Sequence, residues 1–313
     1  MAQRTLYRVA GESLLVETED AWASAAIDAL FAGWYLTPDD APGGPSVPGI
    51  VMSSAIGPAP IPGGLDGFQI AGGGTCYTDG QASYIDIEGS VVSMGKPGNG
   101  AIEVRMDGPV PFETPALTRV VTYALSAALR RRRRFELHSA AAVDPGTGKG
   151  VLIVGPSGSG KSTLSVHLAS AGWPFLTDDV LLLSKESADV AAWPLRRCFA
   201  VISATSDTEK RMFLPHEVFE ASFQDRCVPA TLLFPTLTGA DRSEVSPLAA
   251  GDAMARLIRM SPWCCYDRTT APDHLAVLSA LAKQATSYAV RAGRDLLDRD
   301  AAVNLIAACA RES

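Results

Sequence analysis

The chain has 313 residues, 47% of them hydrophobic and 19% charged, with a formal net charge of −7. That length allows one large or two ordinary domains with a substantial core, and the acid excess counts against a general nucleic-acid or anionic-membrane binder. Six scattered cysteines, with no C-x-x-C and no Cys/His cluster at zinc spacing, point to free thiols in a reducing cytosol.

Residues 1–7 lack the apolar core of a signal peptide and no run approaches a membrane span, so a cytoplasmic protein is expected. Residues 5–17 read as two short strands around Gly11. Thr18 then offers a cap for a helix whose buried stripe is Trp22, Ile27, Leu30 and Phe31. Between Pro38 and Gly64 seven prolines interrupt any long element, which predicts a surface excursion with one strand near residues 50–53. Residues 67–106 alternate short apolar runs with Gly-rich turns, the pattern of a β-meander. Gly72-Gly73-Gly74 lies inside it and reads as a hairpin turn, since no helix follows.

Thr114-Pro115 opens a helix with Leu117, Val121, Leu125 and Leu129 on one face, joined by Ala124 and Ala128. It runs into five arginines, Arg130, Arg131, Arg132, Arg133 and Arg134. At a helix C-terminus these complement the macrodipole and are expected to be solvated; docking of an acidic protein substrate is the other reading. Residues 137–143 then form a strand, 144–149 carry strong turn chemistry, and 150–154 form a second strand, so the two are expected to be antiparallel neighbours.

The most specific signal follows at once. Gly155-Pro156-Ser157-Gly158-Ser159-Gly160-Lys161-Ser162 fits G-x-x-x-x-G-K-[ST] between an apolar strand and a helical pattern beginning with Thr163. Glycines there let backbone N–H groups turn inward as an anion nest, the helix points its positive end at the same place, Lys161 can reach the outer phosphates, and the Ser162 hydroxyl can ligate Mg²⁺. Residues 155–163 are therefore the candidate ATP-binding residues. Gly172 closes the helix. Asp178-Asp179, 17 positions past Lys161, then heads a very apolar strand. Neighbouring strand residues face opposite sides, so these carboxylates cannot share one site unless the backbone bends there. Near a triphosphate, one could hold Mg²⁺ and the other accept a proton from an attacking hydroxyl. The remaining residues, 201–313, continue as α/β: strands at 228–234 and 287–290, helices at 251–260, 272–285 and 300–311. Trp263-Cys264-Cys265-Tyr266 reads as a packed aromatic loop.

The order Leu137-His138, hairpin, Gly155 to Ser162, helix, Gly172 and Asp178-Asp179 resembles the C-terminal domain of HPr kinase/phosphorylase, which has a phosphoenolpyruvate-carboxykinase-like core. The whole chain looks like the shorter HPr-kinase-related group of peptide-modification clusters, including kinases of lasso-peptide precursors. The resemblance is carried by residues 137–183, with a weaker likeness at Pro247-Leu248 and Tyr288-Ala289-Val290-Arg291. It implies that Lys161 contacts the transferring phosphate, that Ser162 and Asp179 ligate magnesium, that Asp178 is the base for a substrate serine, and that Asp179 supports the metal or that base. It also implies a place for His138 beside the phosphates, although a lone His in an apolar strand is more often a satisfied core residue. Residues 193–199 lack the family's acidic-Arg-Gly signature, so neither the phosphorylase half-reaction nor HPr as substrate carries over. Arg196 or Arg197 is either a phosphate clamp or a surface arginine.

The expected fold is α/β: a β-rich N-terminal lobe over residues 1–112 and, over 113–313, a P-loop kinase core of the HPr kinase / PEP carboxykinase-like type. The expected function is ATP- and Mg²⁺-dependent phosphorylation of a serine on a peptide or small protein, with a lasso-peptide precursor modified near its C-terminus preferred. The alternatives are a non-kinase P-loop NTPase, a nucleotide-sensing regulator and a small-molecule hydroxyl kinase. No nucleic-acid or membrane partner is expected, and a homo-oligomer is compatible with the sequence.

Overall fold

The computed structural model describes residues 3–19, 21–33, 36, 50–57, 61–70, 73–79, 82–87, 90–95, 101–106, 115–202, 210–213, 219 and 222–313. It is a mixed α/β fold with two large mixed sheets and two compact units. The first unit is formed by residues 1–134 with 262–274, the second by 135–261 with 275–313.

In the first unit, β1 (Gln3–Val9) and β2 (Glu12–Thr18) form a hairpin turned at Ala10 and Gly11, both at positive φ. Helix α1 (Ala21–Gly33) follows, then β3 (Ile50–Ile56), β4 (Gly67–Gln69), β5 (Thr75–Thr78), β6 (Ser83–Ile87), β7 (Ser90–Met94) and β8 (Ala101–Met106). The strand order is β1-β2-β3-β8-β7-β6-β5-β4. The expected meander is present from β4 to β8. The strand in the Pro-rich region has an inner place, parallel to both β2 and β8. Thr18 ends β2 and is buried, so it belongs to the sheet and does not cap α1. Ile27 and Phe31 are buried as expected, while the Trp22 side chain and Gly72 lie outside the described residues.

Helix α2 (Pro115–Arg131) packs on β3, β6, β7 and β8 through Val121, Ala124, Leu125 and Ala128. This packing places it in the first unit, so the division falls after Arg134 and not at 112/113. Thr114 and the Leu117 side chain lie outside the described residues. The arginine run is not the solvated terminus the sequence suggests. Arg130 and Arg131 are buried and both hold Asp267, at 3.2 and 2.6 Å, and Arg130 stacks 3.9 Å from the Trp263 ring centroid. Arg132 and Arg134 pair with Glu12, and Arg133 with Asp273. Buried charge is tolerated only when paired, and Asp267 supplies that pairing.

The second unit holds β9 (Phe135–Val143), β10 (Gly150–Val154), α3 (Lys161–Ser170), β11 (Phe175–Thr177), β12 (Val180–Glu186), β13 (Asp189–Pro194), β14 (Phe199–Ile202), β15 (Lys210–Phe213), β16 (Pro229–Leu237), β17 (Glu244–Pro247) and β18 (Thr286–Ala292). Its large sheet runs β13-β12-β9-β10-β16-β18-β17, with β11 also on β9. The β9–β10 hairpin is antiparallel as read from the sequence, and its turn is tied by the Asp144 carboxylate, which accepts from the N–H groups of Gly146 and Thr147. On its other side β10 runs parallel to β16, and β16 parallel to β18. Helix α3 and the terminal helix Arg299–Arg311 cover one face, burying Leu164, Leu168 and Ile306 against Ile153, Leu233 and Val290.

Candidate active site

Strand β10 delivers the chain into the glycine loop, and the loop's shape follows from its sequence. Gly158 and Gly160 have φ of +79° and +97°, values that side-chain-bearing residues rarely adopt. Gly155 is confined differently: a Cβ there would stand 2.7 Å from the Ser159 hydroxyl. Gly160 is the N-cap of α3 and contributes no side-chain acceptor, so the first-turn N–H groups of the helix remain donors for an anion.

Lys161 is 5% exposed, and its ammonium donates to the carbonyls of Gly155 at 2.7 Å and Pro156 at 2.9 Å. It also lies 3.1 Å from His138 Nε2. An ammonium can only donate, so His138 accepts through Nε2 and carries its proton on Nδ1. That nitrogen is 3.0 Å from Asp179 Oδ1. The second Asp179 oxygen is held by the Arg196 guanidinium. Lys161, His138, Asp179 and Arg196 therefore form one continuous polar chain.

The aspartates meet the condition that the sequence left open. Asp178-Asp179 heads β12 as read, and a second strand precedes the pair: β11 ends at Thr177 against Ala141, and β12 begins at Val180 against His138. Both segments pair with β9, and the backbone bends between them. The bend lets two consecutive carboxylates face one cavity of about 390 Å³, which His138, Lys161, Ser162 and residues 157–160 and 163 also line. Asp178 is 3% exposed; Asp179 is about a quarter exposed. Gly155 and Pro156 are not in the lining but act on it through the carbonyls that hold Lys161. Beside the pair, burial pushes the Cys198 thiol up from its ordinary value, with Arg196 pulling it down and Asp178 adding to the rise.

All the sequence-derived candidates thus lie in or against a single cavity of the second unit. Arg196 joins them through Asp179, whereas Arg197 pairs with the exposed Asp225. The sequence gives no sign of the wall on the β16 and β18 side, formed by Leu237, Ala292, Gly293, Leu296 and Leu297. These residues carry no motif and come from segments remote from the glycine loop. The groups present suit magnesium on a triphosphate, which needs one or two side-chain oxygens. Among the described residues there is no cluster of three or more His, Cys, Asp or Glu that would form a protein-only cage. No described helix is long and apolar enough to cross a membrane.

No family model matches the chain, and no curated protein matches it. Among solved structures, the HPr(Ser) kinase/phosphatase from Coxiella burnetii aligns with a TM-score of 0.33 and 13% identity, over 56% of this chain and 94% of that one. A likeness that slight is insufficient to carry fold detail or function from one protein to the other.

Proposed function

We propose that the protein is a phosphotransferase that moves the terminal phosphoryl group of ATP to a serine hydroxyl on a peptide or small protein, with a lasso-type precursor peptide as the preferred acceptor. The observation that carries this reading is the convergence of the glycine loop, Lys161 and two consecutive carboxylates on one cavity. A loop alone would serve a hydrolase or a sensor equally well. The bend that turns Asp178 and Asp179 together has a ready use in activating a hydroxyl.

The residues divide the work by their surroundings. Loop N–H groups and the α3 terminus take the phosphate charge, and Lys161 neutralises it further. Ser162 and Asp179 would hold Mg²⁺, which when bound offsets charge on the transferring group. Asp178, the more buried carboxylate, takes the serine proton as the serine oxygen bonds to phosphorus and the bond to the nucleoside diphosphate breaks. Asp179, gripped by His138 and Arg196, is fixed in direction and orients its neighbours.

The test is transfer from γ-labelled ATP with Mg²⁺ to a panel of serine-bearing peptides, including peptides that end in serine. Labelled peptide is expected with the native chain and none with Lys161→Ala. Label recovered only as inorganic phosphate, at a rate indifferent to any acceptor, would make the protein an NTPase.

A further inference from the structure

We infer that the apolar wall of the cavity seats the nucleotide's base without reading its edge, so that purine triphosphates are accepted with little regard to the base. This rests on the phosphotransferase reading, because that reading fixes which end of the cavity the nucleoside occupies. In the sheet His138 and the carboxylates lie on the β9 and β12 side of β10, where the terminal phosphate meets its acceptor, which leaves the β16 and β18 side for the nucleoside. There the lining is Leu237, Ala292, Gly293, Leu296 and Leu297, with no polar side chain among these five. Leu237 and Leu297 are 61% and 72% exposed, two of the three exposed large apolar side chains among the described residues, and both line this one cavity. Leu237 also reaches toward the loop, its side chain 3.5 Å from where a Cβ on Gly160 would stand.

The backbone at this end is largely committed elsewhere. The Ala292 carbonyl accepts from both the N–H of Thr238 at 3.1 Å and its hydroxyl at 3.2 Å. The Gly293 N–H donates to the Ser243 hydroxyl at 2.8 Å, and the Gly293 carbonyl accepts from Leu296 at 3.4 Å. Adenine and guanine differ in the donor or acceptor at position 6, and telling them apart requires a partner for that group. Apolar contact with a ring face favours both, whereas a site built to hydrogen-bond one of them would reject the other strongly.

The experiment is calorimetric titration of the full chain with ATP, GTP and inorganic tripolyphosphate in Mg²⁺ buffer, repeated for Leu237→Ser and Leu297→Ser. Both side chains are largely exposed, so the variants keep the fold, which circular dichroism checks. The inference predicts Kd values for ATP and GTP within about threefold, and losses of about five- to tenfold for both nucleotides in each variant, with tripolyphosphate unchanged. ATP preferred over GTP by more than about thirtyfold would overturn it, because only edge readout gives such a ratio. Serine variants that bind ATP like the native chain would overturn it as well, while tripolyphosphate binding would leave the phosphate site standing. If neither nucleotides nor tripolyphosphate bind, the phosphotransferase reading falls and this inference falls with it.

Discussion

Lys161 and Arg196 sit at the two ends of the same polar chain, and their substitutions should separate phosphate binding from alignment. Removing the Lys161 ammonium takes away the tie that holds the carbonyls of Gly155 and Pro156 and, on the proposed function, the cation that meets the phosphates. Lys161→Ala is expected to lower transfer by about a thousandfold and to weaken ATP binding, read by radiolabel transfer and titration calorimetry. Arg196 grips Asp179, the carboxylate that also holds His138. Arg196→Leu is therefore expected to leave ATP affinity within about twofold of native while turnover falls about 10–100-fold. A matching loss in both quantities would place Arg196 on the nucleotide instead. Sequence pattern located Lys161 because the motif fixes its spacing. It left Arg196 and Arg197 equivalent, since nothing in Trp193-Pro194-Leu195-Arg196-Arg197 states which side chain turns toward the aspartates.

At the scale of elements, the β9–β10 hairpin was legible because turn chemistry at residues 144–149 is local, and the structure adds only the Asp144 carboxylate that ties it. The end of α2 was not legible, because the partner of its arginines lies 136 positions further along. Helical periodicity cannot report a contact that distant. Burial would raise the Asp267 carboxyl, but the charges of Arg130 and Arg131 and the Thr269 hydroxyl hold it well below its ordinary value of 3.8. A depressed folded value means that the unfolded chain binds the proton first as pH falls, so this stabilisation is complete above the ordinary value and is lost below it. Asp267→Asn is expected to destabilise the protein by about 3–5 kcal/mol at neutral pH and to flatten the loss of stability between about pH 4 and pH 2, both seen by denaturant titration. Gly293 gives a second element-scale prediction. A Cβ there would stand 2.5 Å from the carbonyl carbon of Arg242, so Gly293→Ala should cost about 1–3 kcal/mol by forcing backbone apart.

Across the whole molecule, the division into units does not follow a single cut in the chain. Residues 262–274 belong with 1–134, because Asp267 and Trp263 complete the environment of Arg130 and Arg131. A fragment of residues 1–134 would leave both guanidinium groups buried without their carboxylate, and is expected to lack a cooperative thermal transition by circular dichroism. The longer helices and the strands up to β12 were legible from periodicity and turns, since those signals are local, whereas β13, β14, β15 and β17 were not read from the sequence. The inner place of β3 was not, because parallel pairing with β2 and β8 depends on partners that a local pattern cannot name. The candidate site was half legible: its glycine-loop and carboxylate side lies within residues 138–179, while its apolar wall comes from β16, β18 and the turn after it. The bend at Asp178-Asp179 is what sets both carboxylates on the cavity, and one measurement probes it most directly. It is the single-turnover rate of phosphoryl transfer from γ-labelled ATP to a serine peptide by Asp178→Asn, with ATP affinity measured on the same sample. The account predicts near-native affinity and a rate lower by about 10²–10⁴-fold, the usual worth of a general base. An Asn variant that transfers phosphate at the native rate would contradict it.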